Sequence, residues 1–216
     1  MAGNYTIKQG DHLSSIAKTF GFSDYHTIWN DANNAALKKK RQNPNVLFPG
    51  DLLYIPDRQL RVEARNTDIR HEFVLHRPTV TLRLTLEDAL ERPIANANCD
   101  LLLDGKVLHV TTDGDGRIEQ PIRPEARSAI LTINDAQTPF NGEQIAIKIG
   151  DLDPAGEVSG QVARLDNLGY QPGDGTPNDS DQFESAVQEF QCDNGLTVDG
   201  ICGQLTQAKL KQVHGC

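Results

Sequence analysis

Apolar residues repeat at helical spacing near the amino terminus. Leu13, Ile16, Ala17 and Phe20 fall at i, i+3, i+4 and i+7, which predicts one buried face of a short helix. Gly21 follows at the position where such a helix ends. Apolar segments at 5–8 and 52–55 predict two short strands that pair antiparallel on either side of the helical part.

A second short helix is predicted after Gly21. Asp24 can cap it at the amino end. Three apolar residues would lie on it, namely Ile28, Trp29 and Ala32. The following segment, 33–45, contains a basic run at 38–41, which we interpret as a solvated loop.

The middle of the chain changes to strand spacing. Every second residue from Val80 to Leu86 is apolar and the intervening ones are polar, which predicts a half-buried strand. Five further segments continue the series at 99–103, 107–111, 117–122, 129–133 and 144–149. Asp104-Gly105 is typical of a tight hairpin turn, and 113–116 is typical of another turn. Short strands at this spacing predict a small β-sandwich.

From residue 151 the apolar spacing is helical again. Three faces are predicted: Val158, Val162, Leu165 and Leu168; Phe183, Ala186, Val187 and Phe190; and Leu205, Thr206, Ala208, Leu210 and Val213. Gly169 would end the first helix. Asp179 or Ser180 can cap the second, with Gln182 completing a capping box with Asp179, and Asp199 or Thr206 can cap the third.

Two segments near the amino terminus form a motif. Residues 5–17 read YTIKQGDHLSSIA and residues 46–56 read VLFPGDLLYIP. This arrangement resembles a LysM domain, a small βααβ module that binds N-acetylglucosamine polymers such as peptidoglycan and chitin. The resemblance implies a sugar groove lined by Gly10, Asp11, His12 and Leu13 on one side and by Asn45, Val46, Leu47 and Phe48 on the other. The family usually has Thr where this chain has His12, and 33–45 is longer than in a typical member.

The carboxyl-terminal part carries a second motif. Residues 165–170 read LDNLGY, 183–191 read FESAVQEFQ and 194–206 read NGLTVDGICGQLT. This run is similar to the three-helix peptidoglycan-binding domain type 1. The resemblance implies a second wall-binding site at Gln191, Asp199, Gly200, Gly203 and Thr206. Purely structural roles remain open, because both glycines permit turns and Asp199 or Thr206 can cap a helix.

The segment between these motifs resembles a transthyretin-like or carboxypeptidase-regulatory-like sandwich. The predicted architecture is therefore a multidomain α+β chain. A LysM domain spans 1–57, a linker 58–72, an all-β sandwich 73–150 and a three-helix peptidoglycan-binding domain 151–216.

Composition narrows the range of partners. The net charge is −9 and the sequence pI about 5.1, with no extended basic stripe, so nucleic acid is not expected as a partner. No stretch is apolar enough to span a bilayer, and no membrane partner is expected. No apolar leader precedes the first module, so we expect synthesis in the cytoplasm without a Sec signal. The chain would then leave by another route or serve inside the cell.

The remaining motifs do not predict catalysis. The 113–116 turn lacks the ligand spacing of a calcium loop, and neither a cofactor, a metal nor an enzyme activity is expected. Cys192 and Cys202 are expected to lie close enough to bridge in an oxidising compartment. Cys216 pairing with either one, or three free thiols, remains open.

The domain order and the motifs at 33–51 and 149–160 resemble proteins found beside type VI secretion spike genes. Two functions follow as expectations. The first is a non-catalytic peptidoglycan-binding protein linked to a type VI secretion spike or its effector, and exported by that system to the periplasm or to a target-cell wall. The second is a structural adaptor of a contractile injection machine that uses the same folds for protein contacts.

Overall fold

A computed structural model describes residues 2–59, 62, 64–72, 79–90, 92–176 and 179–216. Over these residues the protein combines six α-helices with three antiparallel sheets. The chain forms two compact units. The first comprises Met1–Asn45 and Pro49–Gly150, and the second comprises Val46–Phe48 and Asp151–Cys216. The predicted linker and the predicted start of the sandwich at 73 lie partly outside the described residues.

The amino-terminal module begins and ends with paired strands. Its elements are β1 (Gly3–Thr6), α1 (Leu13–Thr19), α2 (His26–Trp29), a 3₁₀ turn (Ala32–Asn34), α3 (Ala35–Arg41) and β2 (Leu52–Ile55). β1 and β2 pair antiparallel, with Tyr5 opposite Leu53. The strand predicted at 52–55 and its pairing are confirmed, whereas the first strand begins and ends two residues earlier than predicted.

The predicted apolar face of α1 is mostly confirmed. Leu13, Ile16 and Ala17 are buried. Phe20 was wrongly placed on this face, because α1 ends at Thr19 and the ring is 39% exposed. It packs edge-on against the Tyr5 ring at 5.5 Å between centroids.

The helices after Gly21 differ in extent from the prediction. Asp24 was predicted to cap α2, but Tyr25 is the residue that immediately precedes this helix, and its side chain makes no capping hydrogen bond. The Asp24 carboxylate, one position further out, accepts from the His26 amide at 2.9 Å. α2 ends at Trp29, and Ala32 belongs to the 3₁₀ turn instead. The basic run at 38–41 forms the last turn of α3, so the loop interpretation was wrong. Cations in this position favourably oppose the helix dipole.

The all-β part of the first unit contains six strands in the described residues. They are β3 (Val80–Thr85), β4 (Asn98–Leu103), β5 (Lys106–Thr111), β6 (Arg117–Ile122), β7 (Ser128–Ile133) and β8 (Gln144–Lys148). β3 pairs with β6, and the other sheet has the order β5-β4-β7-β8. Asp104 and Gly105 both have positive φ, as the predicted two-residue hairpin turn requires.

Both of these sheets contribute to one apolar core. Its buried members include Leu86, Cys99, Leu101, Ile118, Ile122, Leu131 and Ile133. The sequence therefore predicted these six strands to within one residue at each end, and the half-buried face of β3. We call this part, residues 80–150, the β domain, and its classification as a transthyretin-like sandwich stays a prediction.

The second unit contains the helices α4 (Val158–Asn167), α5 (Ser180–Asp193) and α6 (Gln204–His214). Their apolar faces form a core of Leu165, Ala186, Val187, Phe190 and Leu210. The predicted caps were wrong. The Asp179 side chain does not cap α5, and its Oδ2 accepts from the Asp174 amide at 3.0 Å. α6 begins after Gly203 without a side-chain cap.

Candidate functional site

The turn between β1 and α1 is held together by the Asp11 carboxylate. Its Oδ2 accepts hydrogen bonds from the Tyr5 hydroxyl at 2.7 Å and from the Lys8 amide at 3.0 Å. Burial and the hydrogen bond to Asp11 raise the pKa of Tyr5 to about 12, so the hydroxyl remains a donor. Gly10 is buried with φ of +79°, a conformation that favours glycine. Residues 10–13, which we call the N-terminal turn, are thus fixed in one conformation.

His12 begins α1 from an extended backbone conformation. Its amide donates to the Ser15 hydroxyl oxygen at 3.3 Å, and that hydroxyl donates to the His12 carbonyl at 2.7 Å. The imidazole is only 5% exposed, and among the described residues its Nε2 has no hydrogen-bond partner. Burial is the largest influence on the pKa of His12, which it lowers. Burial therefore disfavours protonation of the ring.

Two ion pairs join the amino-terminal module to the β domain within the first unit. Arg127 Nη2 lies 3.3 Å from Asp11 Oδ1, and the Asp11 side chain is only 9% exposed. Lys18 Nζ on α1 lies 3.2 Å from Glu125 Oε1. Both β-domain residues come from the segment between β6 and β7, so this segment lies against the N-terminal turn.

Gly150 closes the same contact from the end of the β domain. A Cβ atom placed there would lie 2.9 Å from the Gly10 carbonyl oxygen and 3.1 Å from the His12 ring. Gly150 also has φ of +85°, which favours glycine for a second reason. The sequence carried no signal for this contact, because the participating residues are more than 100 positions apart in the chain.

The four residues predicted to line the other side of the sugar groove are divided between the two units. Asn45 belongs to the first unit, where its Oδ1 accepts from the Ser14 hydroxyl at 3.5 Å. Val46, Leu47 and Phe48 belong to the second unit, and Val46 and Leu47 are buried. Sugar contact by any of these residues stays a prediction.

Gln191 organises the loop between α5 and α6. Its Oε1 accepts from the amides of Asp199 and Gly200, both at 3.0 Å. Its Nε2 donates to Asp199 Oδ1 at 2.8 Å, to the Ile201 carbonyl at 3.1 Å and to Thr206 Oγ1 at 3.0 Å. Gln191 and Thr206 are buried, so these two side chains stabilise the loop from beneath.

The α5–α6 loop and the first turn of α6 carry exposed apolar side chains. Val198, Ile201 and Leu205 are 53%, 67% and 80% exposed. Gly200 has φ of +70° and sits against the Glu184 side chain, where a Cβ would lie 2.6 Å from Cγ. The predicted second site therefore separates into a buried polar support and an exposed rim. The apolar members of that rim were missed by motif reading.

Two domain families match the chain. The LysM domain matches residues 5–56, and the family described as "Putative peptidoglycan binding domain" matches residues 158–210. The protein carries a LysM domain and a peptidoglycan-binding domain. These domains are binding modules, and they support peptidoglycan binding and a cell-wall-associated location. No curated protein and no solved structure matches the chain.

Sequence reading missed two polar anchors of the LysM domain. The Asn34 amide is buried and joins the 3₁₀ turn to β2, since it donates to the Ile28 and Tyr54 carbonyls and accepts from the Tyr54 amide, each at 2.8 Å. Asp51 is held by Arg41 and by Lys40. Burial opposes ionisation of Asp51, but the hydrogen bonds from these two cations outweigh it and lower its pKa.

The four cysteines carry free thiols in the structure. Burial raises the pKa of Cys202 to about 11, so its thiol stays protonated at neutral pH. The Cys192–Cys202 bridge stays a prediction for an oxidising compartment. Among the described residues no group of three or more His, Cys, Asp and Glu side chains could hold a metal ion. No helix over this part of the chain is long and apolar enough to cross a membrane.

Proposed function

We propose that this protein is a non-catalytic binding protein for peptidoglycan and, more broadly, for polymers of N-acetylglucosamine. The observation that carries the proposal is the presence of two wall-binding domain families in one chain, at residues 5–56 and 158–210. Two weak sites on one chain raise the overall avidity when both can engage the same polymer. A long glycan with a repeating unit can occupy both sites at once, so this type of ligand would be bound with the higher avidity.

The α5–α6 loop is the surface to which we assign the first contact with the glycan. Sugar-binding sites combine apolar faces with a few fixed polar groups. Ile201 and Leu205 supply exposed apolar area, and Asp199 supplies a carboxylate beside them. Gln191 holds this rim rigid through its five hydrogen bonds. A rigid rim loses little conformational entropy on binding.

Cosedimentation with purified sacculi tests this assignment. Ile201→Asp places a charge on the rim at a position that is 67% exposed, so the domain should remain folded. We expect wild-type protein in the pellet at about 100 µM and Ile201→Asp largely in the supernatant. Val158→Asp is the matched control, because Val158 is 51% exposed on α4. Loss of binding in both variants, or in neither, would reject the loop as the binding surface.

The association with a type VI secretion spike or its effector is a finer proposal that rests on motif resemblance alone. In that reading the protein is loaded on a spike and meets the wall of a target cell. Copurification of partners from a strain with a working secretion system tests it, with a secretion-deficient strain as the control. Recovery of no spike component or effector from either strain would remove this part of the account.

A structural adaptor of a contractile injection machine is the second candidate. One observation favours it: the N-terminal turn of the LysM domain, which the family resemblance assigns to sugar, is engaged by the β domain of its own chain. A LysM surface that already binds protein is what an adaptor requires. In both readings we propose that the β domain is a sandwich of transthyretin-like or carboxypeptidase-regulatory-like type. Protein that copurifies with machine components and never pellets with sacculi would favour the adaptor.

A further inference from the structure

The N-terminal turn of the LysM domain is covered although LysM domains of this kind are expected to present it to sugar. Gly10 and His12 are buried, and the Asp11 side chain is 9% exposed. Leu13 belongs to the interior of the LysM domain. The turn therefore offers little free surface to a polysaccharide as long as its neighbours stay in place.

The neighbours that cover the turn come from two places in the β domain. The segment between β6 and β7 supplies Arg127 and Glu125, which form the ion pairs with Asp11 and Lys18. The end of the domain supplies Gly150, where an added Cβ would meet the Gly10 carbonyl oxygen and the His12 ring. Because the contacts come from two separate segments, they fix the orientation of the β domain over the turn.

The groups that form the contact between the β domain and the N-terminal turn make it a weak one. The Lys18–Glu125 pair is about half exposed on both sides, and exposed ion pairs contribute little because water screens them. Gly150 adds close packing but no side chain to bury. Such a contact can hold the turn closed most of the time and still open without unfolding either domain.

We propose that the β domain is an intramolecular cover for the sugar-binding turn of the LysM domain, so that N-acetylglucosamine polymers reach this turn only when the cover opens. This inference rests on the proposed function, because it assumes that the LysM domain has a sugar site. The covered state lowers the apparent affinity by the fraction of molecules that are open. The peptidoglycan-binding domain would then make the first contact, and the LysM domain would engage afterwards.

Gly150→Ala is the substitution that opens the cover. The added methyl group meets the Gly10 carbonyl at 2.9 Å, so the turn and Gly150 must separate. Gly142→Ala is the matched control, since Gly142 has a similar φ of +89° and no atom within 4 Å of an added Cβ. Both variants carry the same backbone strain, and only the first disturbs the turn.

A charge variant provides a second, independent way to open it. Glu125→Lys places two lysines opposite each other, and the double variant Lys18→Glu/Glu125→Lys restores the attraction with reversed signs. Neither residue belongs to the predicted sugar site. Amide hydrogen exchange at residues 10–15 reports opening, and calorimetric titration with soluble chitohexaose reports sugar binding.

We expect Gly150→Ala and Glu125→Lys to exchange faster at residues 10–15 and to bind chitohexaose about fivefold or more tightly than wild type. Gly142→Ala and the double charge variant should match wild type. Suppose that Gly150→Ala and Glu125→Lys exchange faster, but that wild type already binds chitohexaose and neither variant binds it more tightly. This result would overturn the cover and leave the proposed function standing. Faster exchange with no binding in any variant would overturn the cover as well, because the LysM domain would then lack the sugar site that the proposed function gives it.

Discussion

Single residues decide what the two recognised motifs do. The spacing of Gly10, Asp11 and His12 indicated a turn that opens a helix, and the turn is there. The contacts that Arg127 and Gly150 make with this turn could not be read from the sequence, because both residues are distant from it in the chain. Sugar contact and a supporting role use the same polar residue types, and only burial separates them.

Gln191 is the clearest case of a predicted ligand residue with a structural role. Gln191→Ala would leave the amides of Asp199 and Gly200 without their acceptor, and it would create a cavity. We expect the second unit to lose about 2–3 kcal/mol of stability in urea unfolding. Gln182→Ala, at an exposed position of the same helix, should change the stability by less than about 0.5 kcal/mol. Equal effects in the two variants would contradict the role assigned to Gln191.

The buried His12 should make the first unit sensitive to acid. Its pKa lies below the ordinary value of about 6.5, so the unfolded chain takes up a proton more readily than the folded one. The stability that the neutral, buried His12 ring contributes is therefore fully present above about pH 6.5. It is lost progressively as the pH falls from there through the lowered pKa of the folded state. The groups that face the ring are the backbone of Pro124, the cation Arg127, and the carboxylates Asp11 and Glu125.

Trp29 is the single tryptophan and lies buried in the LysM domain, so its fluorescence follows this domain alone. We expect its urea midpoint to be lower at about pH 5.5 than at about pH 7.5. His12→Gln should reduce this difference. His214→Gln should preserve it, although His214 also has a lowered pKa through burial and Arg164. A pH effect of the same size in His12→Gln and wild type would show that another group is responsible.

At the scale of secondary-structure elements, sequence periodicity predicted the β strands well but missed one helix. The β strands were placed well because alternation of apolar and polar residues is a local property, as in Val80–Thr85 and Arg117–Ile122. The helix α3 was missed because its carboxyl-terminal turn is a run of four cations with a loop-like composition. The Arg41 guanidinium at the end of this helix pairs with the buried Asp51 carboxylate, and no local pattern reveals such a partner.

Arg41→Ala tests this account of α3. The Arg41 and Asp51 side chains are both 6% exposed, so the substitution would leave a buried carboxylate with Lys40 as a more exposed partner. We expect a loss of about 2 kcal/mol, followed by Trp29 fluorescence in urea. Lys39→Ala is the control at an exposed neighbouring position, with an expected change below about 0.5 kcal/mol. An unchanged midpoint in Arg41→Ala would mean that the ion pair does not stabilise the helix.

At the scale of the whole chain, the two domain families indicate peptidoglycan, and the two candidate surfaces differ in access. Val198, Ile201 and Leu205 are open to solvent, whereas the N-terminal turn is covered within its own unit. Both ends were predicted to be binding sites because a sequence motif reports residue identity and carries no information about solvent exposure. The predicted sites are therefore unequal, and the carboxyl-terminal one should act first.

The most direct measurement is an NMR titration of the intact wild-type protein with soluble peptidoglycan fragments. We expect shift changes at the amides of Val198, Gly200, Ile201 and Leu205 at the lowest concentrations. The amides of Gly10, Asp11 and His12 should follow only at higher concentrations. Shift changes that begin at residues 10–12 while the α5–α6 loop stays silent, or no shift changes anywhere up to about 1 mM fragment, would contradict the account.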